Sequence, residues 1–209
     1  RVHGRHHLPW QQQREPYRVW LSEVMLQQTQ VVTVVSYFDR FLTAFPTVHA
    51  LAAAPQSDVL SLWAGLGYYS RARMLHRCGQ ALVDQHGGVF PNTVDELVKL
   101  PGIGPSTAAA IAAFCYSVPV SIYDGNVKRV LSRLLAFKGD LSTSSASKQL
   151  HEKAQALLTL GLESSAAEPT DVMPAYTQGL MDLGATVCHL RSPQCEICPV
   201  QSLCTARAT

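Results

Sequence analysis

LPGIGPSTAAAIAAF, residues 100–114, is the stretch on which the reading of this chain turns. Gly102 and Gly104 stand two residues apart and can take backbone angles that other residues avoid. Pro105 suits the first position of a helix, where its missing N–H has no partner to lose. Just upstream, Thr93 and Glu96 have the spacing of a capping box, which predicts a short helix over residues 94–99. The expected unit is therefore a helix, a glycine-rich hairpin and a second helix. Backbone N–H groups at such a helix start can bind an anion, typically a phosphate. The same residues also suit a tight helix–helix turn that binds nothing, and the stretch by itself leaves both readings open.

Composition narrows the class. Hydrophobic residues make up 47% of the chain and charged residues 15%, a globular balance that excludes a disordered chain. The 209 residues suffice for one large or two modest domains. No apolar run approaches the ~20 residues that cross a bilayer, and no secretory signal stands at the start. Arg1 in place of Met suggests a trimmed N-terminus. The formal net charge is +2, so any basic surface for a nucleic acid has to be local.

Outward from the hairpin the pattern is helix after helix, with no alternating strand and no internal repeat. Leu21, Val24, Leu26, Val31, Val35, Phe38 and Leu42 recur at roughly helical spacing. They predict either one long helix or two over residues 17–45, with Thr29 as a candidate cap of the second. Thr47 and Ser57 read as N-caps of two short helices. A helix over residues 69–85 should stop at Gly87 and Gly88. After the hairpin helix, SVPVSIYDGN is a connector that opens a helix at VKRVLSRLLAF. Two more helices are expected near residues 147–160 and 172–183, with GLESSAAEPTD as the loop between them. The N-terminal RVHGRHHLPWQQQ is polar and irregular, anchored by Leu8 and Trp10. Its three histidines have no acidic or cysteine ligand nearby to make a metal site.

Four of six cysteines crowd the C-terminus as Cys188-x6-Cys195-x2-Cys198-x5-Cys204. A chain with no secretion signal and so compact a run reads as metal binding before disulfide. Four thiolates suit structural zinc or a four-iron, four-sulfur cluster, and spacing alone leaves both open. Pro193 and Pro199 stiffen that loop, and Arg191 is either a phosphate contact or a solvated loop charge. Cys78 and Cys115 sit apart and read as core residues. Glu23 is a carboxyl in otherwise apolar and amide surroundings, VWLSEVMLQQTQVV, with Gln27 and Gln30 expected on its face. Such a carboxyl can have a raised pKa, which suits a proton donor. Asp124, before Gly125 and Asn126, reads first as an N-cap, a role compatible with presenting its charge to a substrate cation. Tyr68 and Tyr69, followed by SRAR, offer aromatics and arginines to bases and phosphates, or plain packing at a helix start.

Taken together, SEVMLQQTQV, LWAGLGYYSRAR, LPGIGPSTA, DGNVKRVLSR, LGATVC and the four-cysteine run resemble the helix-hairpin-helix DNA glycosylases, the endonuclease III superfamily. The resemblance is closest to the adenine-specific, MutY-type branch and runs from Leu8 to Cys204. It implies an all-α, two-lobed fold. A six-helix barrel carrying the hairpin would span residues 17–133, residues 1–16 and 134–209 would form an iron–sulfur lobe, and the active cleft would lie between the lobes. It also implies a 4Fe-4S cluster on Cys188, Cys195, Cys198 and Cys204. The implied activity is monofunctional: hydrolysis of the N-glycosidic bond of adenine mispaired with 8-oxoguanine or guanine in double-stranded DNA, in base excision repair. A monomer without membrane association is implied, intracellular, in bacterial cytoplasm or nucleoid, or in nucleus or mitochondrion of a eukaryote.

Roles carry over position by position. Glu23 would protonate the extruded adenine at N7 and then assist the attacking water. Asp124 would stabilise the oxocarbenium character of the sugar, and Asn126 would orient water and carboxylates. Gln28 and Tyr68 would occupy the stack near the opposite oxidised guanine, and Gln178 would contact the flipped adenine. Gly102, Gly104 and their neighbours would hold phosphate, with a monovalent cation on the hairpin carbonyls.

Two departures stand out. Ser106 occupies the position where bifunctional relatives carry a catalytic lysine and some adenine glycosylases a tyrosine. The chain also ends just after the cysteine run, whereas full-length adenine glycosylases have a second, C-terminal domain that helps recognise 8-oxoguanine. A fragment, or blunted discrimination of the opposite base, is therefore expected. The rivals are a mismatch or oxidised-pyrimidine glycosylase of the same superfamily, and a DNA-binding module without catalysis. Ser106 and SEVMLQQTQV oppose the first; Glu23 and Asp124 oppose the second.

Overall fold

The computed structural model describes residues 4–5, 7–165 and 168–208, and among these the regular structure is helical throughout, with no strand. The chain divides into two compact units, His6–Tyr116 and Arg1–Arg5 with Ser117–Thr209. His3 and His6, two of the three N-terminal histidines, lie outside the described residues.

The first unit holds α1 (Pro9–Gln12), α2 (Pro16–Leu26), α3 (Val31–Ala44), α4 (Val48–Ala53), α5 (Gln56–Trp63), α6 (Ser70–His86), α7 (Val94–Leu97) and α8 (Pro105–Tyr116). Helix α8 explains why residues 100–114 matter. Every residue from Thr107 to Phe114 is buried, so the helix is enclosed on all sides rather than on one stripe. Its alanines let α2 and α7 pack against it closely. The core of this unit also holds Trp20, Leu21, Met25, Phe38, Phe41, Trp63, Leu75 and Leu82, each essentially sealed from water. Burying such a side chain contributes roughly 1.5–3 kcal/mol. Trp20 meets Phe90 edge to face, and Phe41 meets Phe45 and Trp63 in the same way.

Residues 17–45 form two helices, not one, and Gln30 rather than Thr29 stands at the cap of the second. The Thr29 hydroxyl turns back to the Gln27 carbonyl instead. Thr47 caps α4 as expected, accepting from the Ala50 amide. Ser57 does not cap α5: the helix begins one residue earlier, behind Pro55, and the Ser57 hydroxyl faces Asp58. Thr93 caps α7, but the reciprocal half of the box is missing because Glu96 pairs with Lys99. Gly87 ends α6 in the left-handed conformation that a glycine allows without strain.

The second unit holds α9 (Gly125–Leu134), α10 (Ser144–Ser165), α11 (Pro169–Thr186), two short 3₁₀ turns (Cys195–Ile197 and Gln201–Leu203) and α12 (Thr205–Ala208). Val130 of α9 packs with Leu183 and Val187, and Leu180, Cys198 and Val200 close over them. Ala146, Leu150, Ala154 and Leu158 bury one face of α10 at intervals of four. α9 packs against α10, α11 and α12, so this division sets it with the C-terminal residues, while the sequence reading put residues up to 133 with the barrel. Both α10 and α11 run longer than expected and consume most of the presumed loop GLESSAAEPTD, of which Ala166 and Ala167 lie outside the described residues.

Candidate functional site

Glu23 sits half-buried on α2 beside Ser22, Val24 and Met25, all three buried. α2 ends three residues later at Leu26. Gln27 is the residue after the helix and Gln30 opens the next one, so the two amides do not line one helical face with Glu23 as the spacing predicted. What remains of the expected environment is a carboxyl rising from an apolar wall near a helix C-terminus.

Gln28 and Tyr68 are both exposed and both take a positive φ, +57° and +47°, which only a minority of non-glycine residues adopt. Of the two arginines that follow Tyr68 in SRAR, Arg73 is exposed and Arg71 is not. Arg71 is buried, and its guanidinium donates to the carbonyls of Val24, Met25 and Gln27, to the Thr29 hydroxyl, and to the carbonyls of Leu66 and Gly67. It also lies over the rings of Trp63 and Tyr68 at 5.3 and 5.5 Å. Burial lowers its pKa and the neighbouring Tyr68 raises it. Residue type and spacing in SRAR carry no sign of this, because the partners are carbonyls on other elements.

The hairpin forms as read. Gly102 is at φ +77°, and a Cβ there would meet Met74 Cβ at 2.9 Å, so both the backbone angle and the approach of α6 call for glycine. Nothing lies within 4 Å of where a Cβ of Gly104 would stand. The Gly104 carbonyl accepts from the Ala108 amide and so starts α8, with Ser106 half-buried in the first turn. The exposed glycines leave that helix start open to a close backbone approach.

Asp124 caps α9, accepting from the Val127 amide at 2.7 Å through Oδ1. Asn126 Oδ1 accepts from Arg129 Nη2 at 2.8 Å. Arg129 reaches on to the carbonyls of Gly184 and Cys188, each at 2.8 Å. Gly184 of α11 lies directly on Asn126, with no room for a side chain between them. Gln178, half-buried on α11, donates to Asp182 Oδ1 at 3.0 Å. Asp182 is itself buried and clamped by the backbone amide and the guanidinium of Arg5. Arg129, Arg5 and Asp182 escaped the sequence reading; the one available sign was that an acidic residue in the apolar turn MDLG needs a cationic partner.

Cys188, Cys195, Cys198 and Cys204 together line a cavity of about 220 Å³, and none is in a disulfide. That is several times the ~30 Å³ share of one water. Yet no three of the described His, Cys, Asp and Glu residues converge as a single metal ion requires. Four thiols around a roomy cavity, rather than around a point, fit a polynuclear iron–sulfur cluster better than one tetrahedral zinc. Arg133 Nη1 donates to Cys188 Sγ at 3.3 Å and the same guanidinium holds the carbonyls of His189 and Leu190. Arg191 is exposed on the loop. Cys78 and Cys115 do not line this cavity; Cys78 is a core residue and Cys115 is half-buried, and burial pushes each thiol up to about 12. No described helix is long and apolar enough to cross a membrane.

Residues 21–156 match the HhH-GPD superfamily of base excision DNA repair proteins, and residues 191–204 match the iron–sulfur binding domain of endonuclease III. The adenine DNA glycosylase of Homo sapiens is 44% identical over 96% of this chain and 36% of its own length. That of Buchnera aphidicola subsp. Baizongia pistaciae is 41% identical over 96% of this chain and 54% of its own. The chain thus spans about half, or less, of the length of these curated relatives. Among solved structures, a thermostable thymine-DNA glycosylase matches with TM-score 0.81 and 25% identity, covering 96% of this chain and 88% of that one. A non-covalent endonuclease III–DNA complex matches with TM-score 0.73 and 26% identity, covering 94% and 86%.

Proposed function

The chain belongs to the HhH-GPD superfamily of base excision DNA repair proteins, and on that premise we propose that it is the catalytic domain of a monofunctional adenine DNA glycosylase, acting on adenine opposite 8-oxoguanine or guanine in duplex DNA. The observation that carries the reading is one carboxyl in each unit: Glu23, half-buried on α2 among Ser22, Val24 and Met25, and Asp124, fixed at the start of α9 by its cap. The likeness to adenine glycosylases over nearly all of the chain supplies the base.

The target adenine must first leave the stack, at a cost of a few kcal/mol. Glu23 then gives its proton to N7 of the flipped base, which draws electrons from the N9–C1′ bond and makes adenine a better leaving group. As that bond breaks, positive charge develops on the sugar. Asp124 engages one carboxylate oxygen in its cap, and its charge opposes the developing cation. Water adds at C1′ and yields its proton to the Glu23 carboxylate, which restores the enzyme. Paired carboxyls divide the work in the same way in glycoside hydrolysis. Asn126, held by Arg129, orients the water and Asp124. Gln178 contacts the flipped adenine, its amide aimed by Asp182. Gln28 and Tyr68 meet the opposite base, and the open start of α8 at Gly102, Gly104 and Ser106 holds a backbone phosphate, with a monovalent cation on the hairpin carbonyls. Arg191 adds a further phosphate contact.

The chain carries a 4Fe-4S cluster, and Cys188, Cys195, Cys198 and Cys204 are its ligands in this reading. Arg129 and Arg133 hold the backbone around Cys188 to α9, and a cluster bound on the four thiolates would fix the rest of the last loop to the same place. Its binding energy is then folding energy for that loop.

A lyase needs an amine that attacks the sugar, and the hairpin helix offers Ser106. Lys128 Nζ is drawn over the Tyr123 ring at 5.1 Å. The test is a duplex with adenine opposite 8-oxoguanine. Adenine should be released and the strand should stay intact until treated with alkali. Strand cleavage with efficient borohydride trapping at the rate of base release would move the chain to the endonuclease III branch. Tight duplex binding with no base release would leave a DNA-binding module.

A further inference from the structure

Two short loops of the first unit carry the residues assigned above to the opposite base: Gln28 between α2 and α3, and Tyr68 between α5 and α6. They are 40 residues apart in sequence and each bends through a left-handed non-glycine residue. One guanidinium joins them. Arg71 Nη1 holds the Gln27 carbonyl and Nη2 holds the Gly67 carbonyl. Those are the peptide groups immediately before Gln28 and Tyr68, so their orientation sets φ at each of the two residues. The same side chain binds the Val24 and Met25 carbonyls at the end of α2, where helix carbonyls lack internal partners and a cation is favoured. It reaches the Thr29 hydroxyl and the Leu66 carbonyl within the same two loops, and Tyr68 lays its ring against the guanidinium at 5.5 Å. The Trp63 indole donates to the Gly67 carbonyl as well, at 3.0 Å. No local sequence preference holds a glutamine or a tyrosine at positive φ, and such strain persists where the surroundings over-determine it.

We propose that Arg71 is a positioning residue that locks the Gln28 and Tyr68 loops into one rigid reader of the base opposite the target adenine. The opposite-base part rests on the glycosylase reading; the mechanical coupling of the two loops does not. A planar fork with several donors is needed, because six acceptors are spread over two separate segments, residues 24–29 and 66–67, and a lysine ammonium cannot serve them all.

Two measurements on the cluster-loaded chain test this. Amide exchange followed by mass spectrometry should show residues 26–30 and 64–69 opening together, about ten-fold faster in Arg71→Gln, with the helices elsewhere unchanged. Should Arg71→Gln fail to fold, Arg71→Lys keeps the charge but not the fork and should loosen the same two segments by about three-fold. In parallel, the preference for 8-oxoguanine over guanine opposite adenine should fall about ten-fold in Arg71→Lys, and by no more in Arg71→Lys/Tyr68→Ala than in Tyr68→Ala alone. Additive losses, or exchange that quickens in one loop only or nowhere, would overturn the proposal. A wild-type chain that releases no adenine would refute the glycosylase reading, while the exchange result would still decide the coupling.

Discussion

Gly184→Ala places one methyl between α11 and the first turn of α9. The new Cβ would stand 2.7 Å from Asn126 Cβ, 3.1 Å from its carbonyl oxygen and 3.2 Å from its carbonyl carbon. Ordinary contact starts near 3.4 Å, so the two helices must part by about 0.7 Å at this point. Two of the obstructing atoms are backbone, so no rotamer change relieves them. In isolation the substitution should help, since alanine is favoured over glycine inside a helix by roughly 0.5–1 kcal/mol. Overpacking opposes this with about 1–3 kcal/mol. The net expectation is about 1 kcal/mol of destabilisation, which lowers Tm by about 2–4 °C for a chain of this size. The effect on chemistry should be much larger. Asn126 lies two residues from Asp124, and the parting also stretches the bonds from Arg129 to the Gly184 carbonyl and to Asn126, each 2.8 Å now. A misplacement approaching 1 Å at a reacting group can slow a reaction by about 100-fold, so single-turnover release of adenine should fall about 10- to 100-fold. The assay uses saturating enzyme on a duplex with adenine opposite 8-oxoguanine, beside a thermal melt of the same preparation. Base release within two-fold of wild type together with an unchanged or raised Tm would refute the reasoning, because α11 would then have accommodated the methyl without moving Asn126.

Three further outcomes are expected. Glu23→Gln should lower base release by at least ~100-fold with duplex affinity retained; Asp124→Asn, which still caps a helix well, should cost a similar factor without loss of stability, whereas Asp124→Ala should lose about 1 kcal/mol of stability as well. Purified protein should be yellow-brown with about four irons per chain, and Arg133→Ala should lose iron faster on exposure to chelator; stoichiometric zinc without visible absorption would contradict the ligand assignment. Stability should hold up to about pH 9 and decline above it: burial raises the Cys78 and Cys115 thiols to about 12, so the unfolded chain sheds these protons first, and the stabilisation present below the unfolded value is lost as pH rises toward 12. Urea midpoints that stay level from pH 7 to 11 would contradict it.

What the sequence shows well is what a few neighbouring residues decide. The enclosed α8, the glycine hairpin before it, the caps at Thr47, Thr93 and Asp124 and the stop at Gly87 each depend on groups within about one helical turn. Where residues 161–171 read as a loop, small and polar residues were mistaken for breakers. Serine and glutamate tolerate a helix, and Ser164 bonds back to the Leu160 carbonyl one turn earlier. Helix α10 runs to Ser165, and α11 opens at Pro169 behind Glu168 in extended backbone.

The candidate site is harder to read, for a physical reason. The residues proposed to react, Glu23 and Asp124, and the four cysteines proposed to hold the cluster stand out by residue type and spacing. The groups that hold them do not. Arg71 serves carbonyls up to 47 residues away, Arg133 carbonyls and a thiol 55 to 57 away, and Arg5 a carboxylate 177 away. A carbonyl acceptor has no residue identity, so nothing in the letters marks an arginine that will bind one. SRAR therefore leaves phosphate contact and packing both open in the sequence, and only the fold shows its first arginine bound to carbonyls. The left-handed bends at Gln28 and Tyr68 are illegible for the same reason: a glycine or asparagine would announce a positive φ, but here the bend is imposed from outside by Arg71. A recognition surface built from strained, non-glycine residues needs such an external support. On the proposed reading, the buried Arg71 is thus as much a part of the reader as Gln28 and Tyr68, whose loops it holds.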